Sequence, residues 1–146
     1  MSRILVAVRK TVPGRPPAVV RILLGLLFLT TGLMKILVPD LRAAFSGQLT
    51  AASIPFHEWN MWVVPVAEVL AGILLLVGLY SRMAAFAAAT MMVVATYVHL
   101  VVHDPDLFPL QPEAPTIPIV ALLLCAFVLW RGGGSWSADL RSTARE

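Results

Sequence analysis

The sequence predicts an all-α integral membrane protein, a bundle of four transmembrane helices with a short interfacial amphipathic helix between the first and the second. Three observations carry this. Of the 146 residues, 59% are hydrophobic and 13% charged, whereas soluble domains carry about 25% charged residues. The mean hydropathy is +0.85, and the apolar residues come in runs close to the ~20 that cross ~30 Å of hydrocarbon. The basic residues gather at alternate ends of those runs.

Residues 1–16 form a basic head with Arg3, Arg9, Lys10 and Arg15. The first span, 17–38, has Pro16 and Pro17 at its entry, where a missing N–H is harmless, and stops before Pro39. It is too long for a secretory signal, holds Lys35 and is followed by no small-residue cleavage site, so a retained helix is expected. From Asp40 to Phe56, Leu41, Phe45, Leu49 and Ala52 recur at helical spacing opposite Arg42, Ser46 and Thr50, which reads as a helix lying on the membrane surface.

The second span, 58–80, opens with Trp59 and Trp62, amphipathic rings suited to the headgroup boundary, and Pro65 is expected to bend it. Ser81 and Arg82 leave room for only a tight turn before the third span, 83–102, so these two spans form an antiparallel hairpin. The loop from Asp104 to Pro118 holds five prolines, which suits a stiff cover across the bundle mouth. The fourth span, 116–130, is short for a crossing. Gly132, Gly133 and Gly134 end it, and the Ser-rich, mixed-charge tail, 131–146, reads as a disordered cytoplasmic segment.

Nine of the eleven basic residues (Arg3, Arg9, Lys10, Arg15, Arg21, Arg82, Arg131, Arg141, Arg145) fall at the N-terminus, the turn between spans two and three, or the C-terminus. An even number of spans puts these on one side. Lys35 and Arg42 lie near the other side, with Asp40, Glu58, Asp104, Asp106 and Glu113. The positive-inside tendency then places both termini in the cytoplasm. The net charge of +3 reports topology and calls for no nucleic acid.

Three stripes could carry chemistry. Arg21, Gly25, Phe28, Gly32 and Lys35 share one arc of the first span, where the glycines read as close-packing positions. Met61, Pro65, Glu68, Gly72 and Leu79 share a stripe of the second, where Gly72 and Gly78, like Phe28 of the first span, read as helix-packing positions. Glu68 thus lies in hydrocarbon, where an ionisable group costs at least ~2.5 kcal/mol and normally faces a partner in the bundle. Lys35, at similar depth, is that partner. The pair is either a latch fixing helix register or a functional site, and the sequence leaves both open.

On the third span, Ala85, Ala89, Met92, Thr96, His99 and His103 share an arc, small toward the inside and polar toward the outside. His99, His103 and His57 could in principle share a metal, yet a HxxxH pair is common by chance, so no metal is expected and proton transfer or hydrogen bonding to a ligand head suits these imidazoles better. The lone cysteine, Cys125, reads as a small buried hydrophobe and excludes an intrachain disulfide or dithiol chemistry. No phosphate loop, catalytic triad or zinc hydrolase motif occurs. Lys35, Glu68, His99 and His103 are therefore expected to converge in the outer half, above an inner half sealed by small residues.

Two motifs, Gly25-x2-Phe28-x3-Gly32-x2-Lys35 and Glu68-x3-Gly72-x2-Leu75-x2-Gly78-x3-Arg82, resemble those of the DoxX family of small membrane proteins. The likeness spans most of residues 18–130, with Ser53 standing where the family often has glycine. It implies a four-helix bundle in the bacterial cytoplasmic (inner) membrane. Some members of that family look like subunits of thiosulfate:quinone oxidoreductases or partners of sulfur and oxidative-stress proteins, and most have no assigned activity.

The first functional expectation is therefore a membrane subunit of a quinone- or sulfur-linked redox system with a ligand between the first three spans. No cofactor is fixed by the residues themselves; a quinone is the one this expectation brings. The alternative is a non-catalytic anchor or scaffold that recruits a protein partner or a second copy, with the polar cluster only a latch. Beyond the lipid bilayer no partner is specified, and transport is disfavoured because no inverted repeat is evident.

Overall fold

A computed structural model of the chain describes residues 9–102 and 115–143. They are helical, with no strand among them: α1 Arg15–Leu37, α2 Pro39–Ala51, α3 His57–Val77, α4 Ser81–Val101, α5 Thr116–Arg131 and α6 Ala138–Thr143. α1, α3 and α4 are long and apolar enough to cross a membrane, and α5 is a shorter apolar helix of 16 residues. The proline-rich segment expected to cover the bundle mouth lies mostly outside the described residues, as does His103.

Prolines and left-handed residues set the boundaries. α1 begins with prolines in its first turn and α2 begins at Pro39, each ring occupying a position whose N–H has no helical acceptor. α3 ends at Val77 because Gly78 turns left-handed at φ 72°, a conformation that glycine adopts without penalty. Phe56 and Tyr80 take positive φ at the starts of α3 and α4. Asn60 supports the first of these turns by donating to the carbonyls of Pro55 (2.8 Å) and Phe56 (3.3 Å).

α1 packs chiefly on α3 and α4 chiefly on α5, with α3 bridging to α4 and α1 to α5. The α1–α3 crossing is antiparallel and close. A methyl group on Gly72 would stand 2.5 Å from the Leu29 nitrogen, and one on Gly25 would stand 2.9 Å from the Leu76 nitrogen. Where lipid replaces water, such backbone contact supplies the packing attraction that the hydrophobic effect cannot supply between helices. Leu24, Phe28, Leu75, Ala84, Ala85, Ala88, Cys125 and Val128 form the core.

The tail corrects the expectation of disorder after Arg131. Gly132, Gly133 and Gly134 are buried, and the chain passes beneath the bundle into α6. A methyl on Gly133 would stand 2.5 Å from Ser81 Oγ, and one on Gly134 would stand 2.5 Å from the Ala18 nitrogen. The fully buried Asp139 carboxylate accepts hydrogen bonds from the backbone N–H groups of Tyr80 and Ser81, both at 2.8 Å, and so caps the start of α4. Its own N–H donates to the Gly78 carbonyl at 2.9 Å.

Arg21 completes this inner end. Its side chain is 1% exposed and donates to the carbonyls of Leu75, Leu76 (2.7 Å) and Gly133 (2.8 Å). The last carbonyls of a helix have no acceptor role within it, and a guanidinium with its planar fan of donors satisfies several at once. The half of the bundle expected to be the inner one is thus packed with small residues and closed by a buried arginine and the C-terminal segment.

Candidate functional site

The half of the bundle away from the C-terminal segment, expected from the sequence to be the outer half, is hollow. A cavity of about 460 Å³ lies between α1 and α4, with α2, α3 and the start of α5 completing its wall. Its lining is mostly apolar, including Phe28 and Met34 from α1, Phe45 and Leu49 from α2, and Met92 and Val98 from α4. The volume falls within the range of roughly 300–1,000 Å³ typical of small-molecule sites, which are apolar with a few placed polar groups.

Those polar groups cluster. Lys35, in the last turn of α1, donates to both carboxylate oxygens of Glu68 on α3, at 2.6 and 2.8 Å. Glu68 is 3% exposed, while the Lys35 side chain keeps 20% of its surface and lies 5.1 Å from the Phe45 ring centroid. Gly32 makes this approach close, since a methyl there would stand 2.9 Å from Glu68 Cβ and 2.8 Å from the Pro65 carbonyl. His99 of α4 lines the same cavity, within electrostatic reach of Lys35.

Of the four residues expected to converge, Lys35, Glu68 and His99 meet at one cavity, and His103 lies outside the described residues. His57 is held elsewhere, with Nε2 3.1 Å from Ser46 Oγ. Among the described residues no group of His, Cys, Asp and Glu is arranged to hold a metal. Phe28 forms part of the cavity floor as well as the core, and Gly25, Gly32 and Gly72 sit at the α1–α3 crossing. Gly78 packs against both the tail and α1, since a methyl there would stand 2.6 Å from Ser137 Cβ and 3.0 Å from Arg21 Cζ.

Gln48 and Asn60 also line the cavity, and the sequence reading passed over both. Gln48 carries a signal that could have found it: it lies three residues after Phe45 and four before Ala52, on the buried face of α2. Asn60 lies two turns before Glu68, with Val64 between them on the same wall. α2 is fastened over this end by the guanidinium of Arg42, 4.0 Å above the Trp62 ring, and by the Ser46 contact with His57.

The cavity can therefore enclose an apolar body and meet one polar end with an ammonium, a carboxylate, amides and an imidazole. These groups offer hydrogen-bond donors, acceptors and titratable sites to a polar end placed among them.

A bundle of apolar helices, all-helical among the described residues and with an ion pair in the wall of a half-open cavity, defines a small helical membrane protein. The DoxX family model matches residues 17–104, a stretch that takes in all of α2, α3 and α4 and all but the first two residues of α1. An uncharacterized membrane protein of Mycobacterium tuberculosis is 32% identical over 145 residues, covering 89% of this chain and 84% of that protein. The chain belongs to the DoxX family. No solved structure matches it.

Proposed function

We propose that this protein is the membrane subunit of a quinone- or sulfur-linked redox system, and that the outer cavity holds the amphipathic ligand. In this reading α1, α3, α4 and α5 all cross the bacterial inner membrane, α2 lies at the outer interface, and both termini are cytoplasmic. The carrying observation is the Lys35–Glu68 pair set in the wall of an apolar cavity of about 460 Å³, with His99 on the same lining. Lys35 or His99 hydrogen-bonds a ligand carbonyl, and Glu68 exchanges protons with it.

The test is to purify the protein in mild detergent and extract its lipids, then measure quinone binding for the wild type and Glu68→Gln. The reading expects co-purified quinone and weakened binding in the variant. Absence of quinone, together with equal binding by the two proteins, overturns it.

One feature favours a second reading, that of a non-catalytic anchor or scaffold recruiting a protein partner. Lys35 satisfies both oxygens of Glu68 without any ligand, as a latch between α1 and α3 would. Under that reading a partner co-purifies, and the double variant Lys35→Met, Glu68→Met leaves the partner's function intact.

A further inference from the structure

At the end of the bundle opposite the cavity, the segment before α1, the start of α4 and the end of α5 bring four basic residues together. Arg82 donates to the carbonyls of Lys10 (2.8 Å) and Trp130 (2.9 Å), and the Arg131 carbonyl accepts from the Val12 N–H at 3.0 Å. Arg9 donates to Tyr80 Oη at 2.9 Å and lies 4.7 Å from that ring's centroid, while the Arg131 guanidinium lies 5.3 Å from the Trp130 ring. Rings and carbonyls hold the three guanidiniums in place, and among the described residues none of them pairs with a carboxylate. Among the described residues Asp139 is the one acid at this end, and its carboxylate is committed to Tyr80 and Ser81.

Two donors in the cluster, the Nε atoms of Arg9 and Arg131, are buried with no acceptor among the described residues. A buried donor left unpaired is costly, and guanidiniums match the oxygens of a phosphate especially well. Beside the cluster, Met83 and Phe86 of α4 and Trp130 of α5 present exposed apolar side chains. A positive, acceptor-seeking cluster bordered by an apolar helix surface has the chemistry of a phosphate joined to acyl chains.

We propose that Arg9, Arg82 and Arg131, with Lys10 at the rim, bind the headgroup of an anionic phospholipid, whose acyl chains lie along α4 and α5. A free phosphate compound shares the charge but gains nothing from Met83, Phe86 and Trp130, so the lipid is the occupant. This site is separate from the outer cavity and does not depend on what the cavity holds.

Native mass spectrometry of the full chain in detergent, with cardiolipin, phosphatidylglycerol or phosphatidylcholine added, tests this. The anionic lipids are retained in preference to phosphatidylcholine. Arg131→Gln and Arg9→Gln each weaken retention about fivefold, equivalent to ~1 kcal/mol per basic residue at an anionic surface. Arg15→Gln removes the same charge from the same end outside the cluster, and Arg42→Gln removes it from the far end; both leave retention unchanged.

Weakening by Arg15→Gln equal to that by Arg131→Gln means diffuse charge and overturns the site. So does displacement of cardiolipin by millimolar inorganic phosphate, which marks a soluble phosphate ligand. Should a variant fail to fold, the wild type alone decides, since equal retention of phosphatidylcholine and the anionic lipids contradicts the proposal.

Discussion

The ammonium of Lys35 spans both carboxylate oxygens of Glu68, at 2.6 and 2.8 Å, and the carboxylate is 3% exposed while the lysine keeps an open flank. Both residues line the cavity, the acid paired and nearly buried and the base the more open of the two. This asymmetry makes the two residues respond differently to substitution.

Lys35→Met strands a buried carboxylate and should destabilise the protein by about 3 kcal/mol, the usual cost of breaking a buried pair from one side. The double variant Lys35→Met, Glu68→Met removes both charges and should recover most of that loss. Thermal unfolding in detergent reads both. A double variant no more stable than Lys35→Met would show that the pair contributes little as a pair.

Gly72→Ala places a methyl 2.5 Å from the Leu29 nitrogen, 2.8 Å from its Cα and 2.9 Å from the Gly25 carbonyl, all of them backbone atoms. No rotamer change relieves such contacts, so α1 and α3 must separate, at a cost of about 1–3 kcal/mol. Gly14→Ala is the control, since its nearest contact is the Pro17 ring at 3.4 Å. Its unfolding temperature should stay close to that of the wild type, and equal losses in the two variants would refute the crossing geometry.

Asp139→Ala uncaps α4, leaving the N–H groups of Tyr80 and Ser81 without their acceptor, and removes the acid that offsets the buried Arg21 charge. A loss of about 2–6 kcal/mol is expected, at roughly 1–3 kcal/mol for each of the two unmet donors. Limited proteolysis should then cut between Gly132 and Thr143 in the variant but not in the wild type. Equal cleavage rates would mean that the tail is not fastened by this carboxylate.

Much of this arrangement was legible in the sequence, for physical reasons. Hydrocarbon demands long apolar runs, so α1, α3 and α4 are written in composition alone. The scarcity of charge in such runs also made Glu68 conspicuous, and helical spacing put Lys35 at its depth. The inner end was harder to read. Three glycines followed by serines and charges have the composition of a loose tail, and only the close approach to Ala18 and Ser81 shows why glycine is needed there. Arg21 read as a topology signal, because nothing local in sequence reveals that its acceptors are the carbonyls of Leu75, Leu76 and Gly133, far along the chain. Gln48 was overlooked because a short surface helix is expected to turn its polar groups toward water.

Equilibrium titration of the purified protein with a short-chain quinone, comparing the wild type with Ala95→Phe, bears most directly on the outer cavity as a ligand site. Ala95 lines the cavity and takes no part in the ion pair. A phenyl ring there should occupy the ligand's space while leaving Lys35 and Glu68 paired. Saturable binding to the wild type, weakened about tenfold or more in Ala95→Phe by the lost space and with an unchanged unfolding temperature, is the predicted result. Equal affinity in the two proteins, or no saturable binding to the wild type, would contradict it.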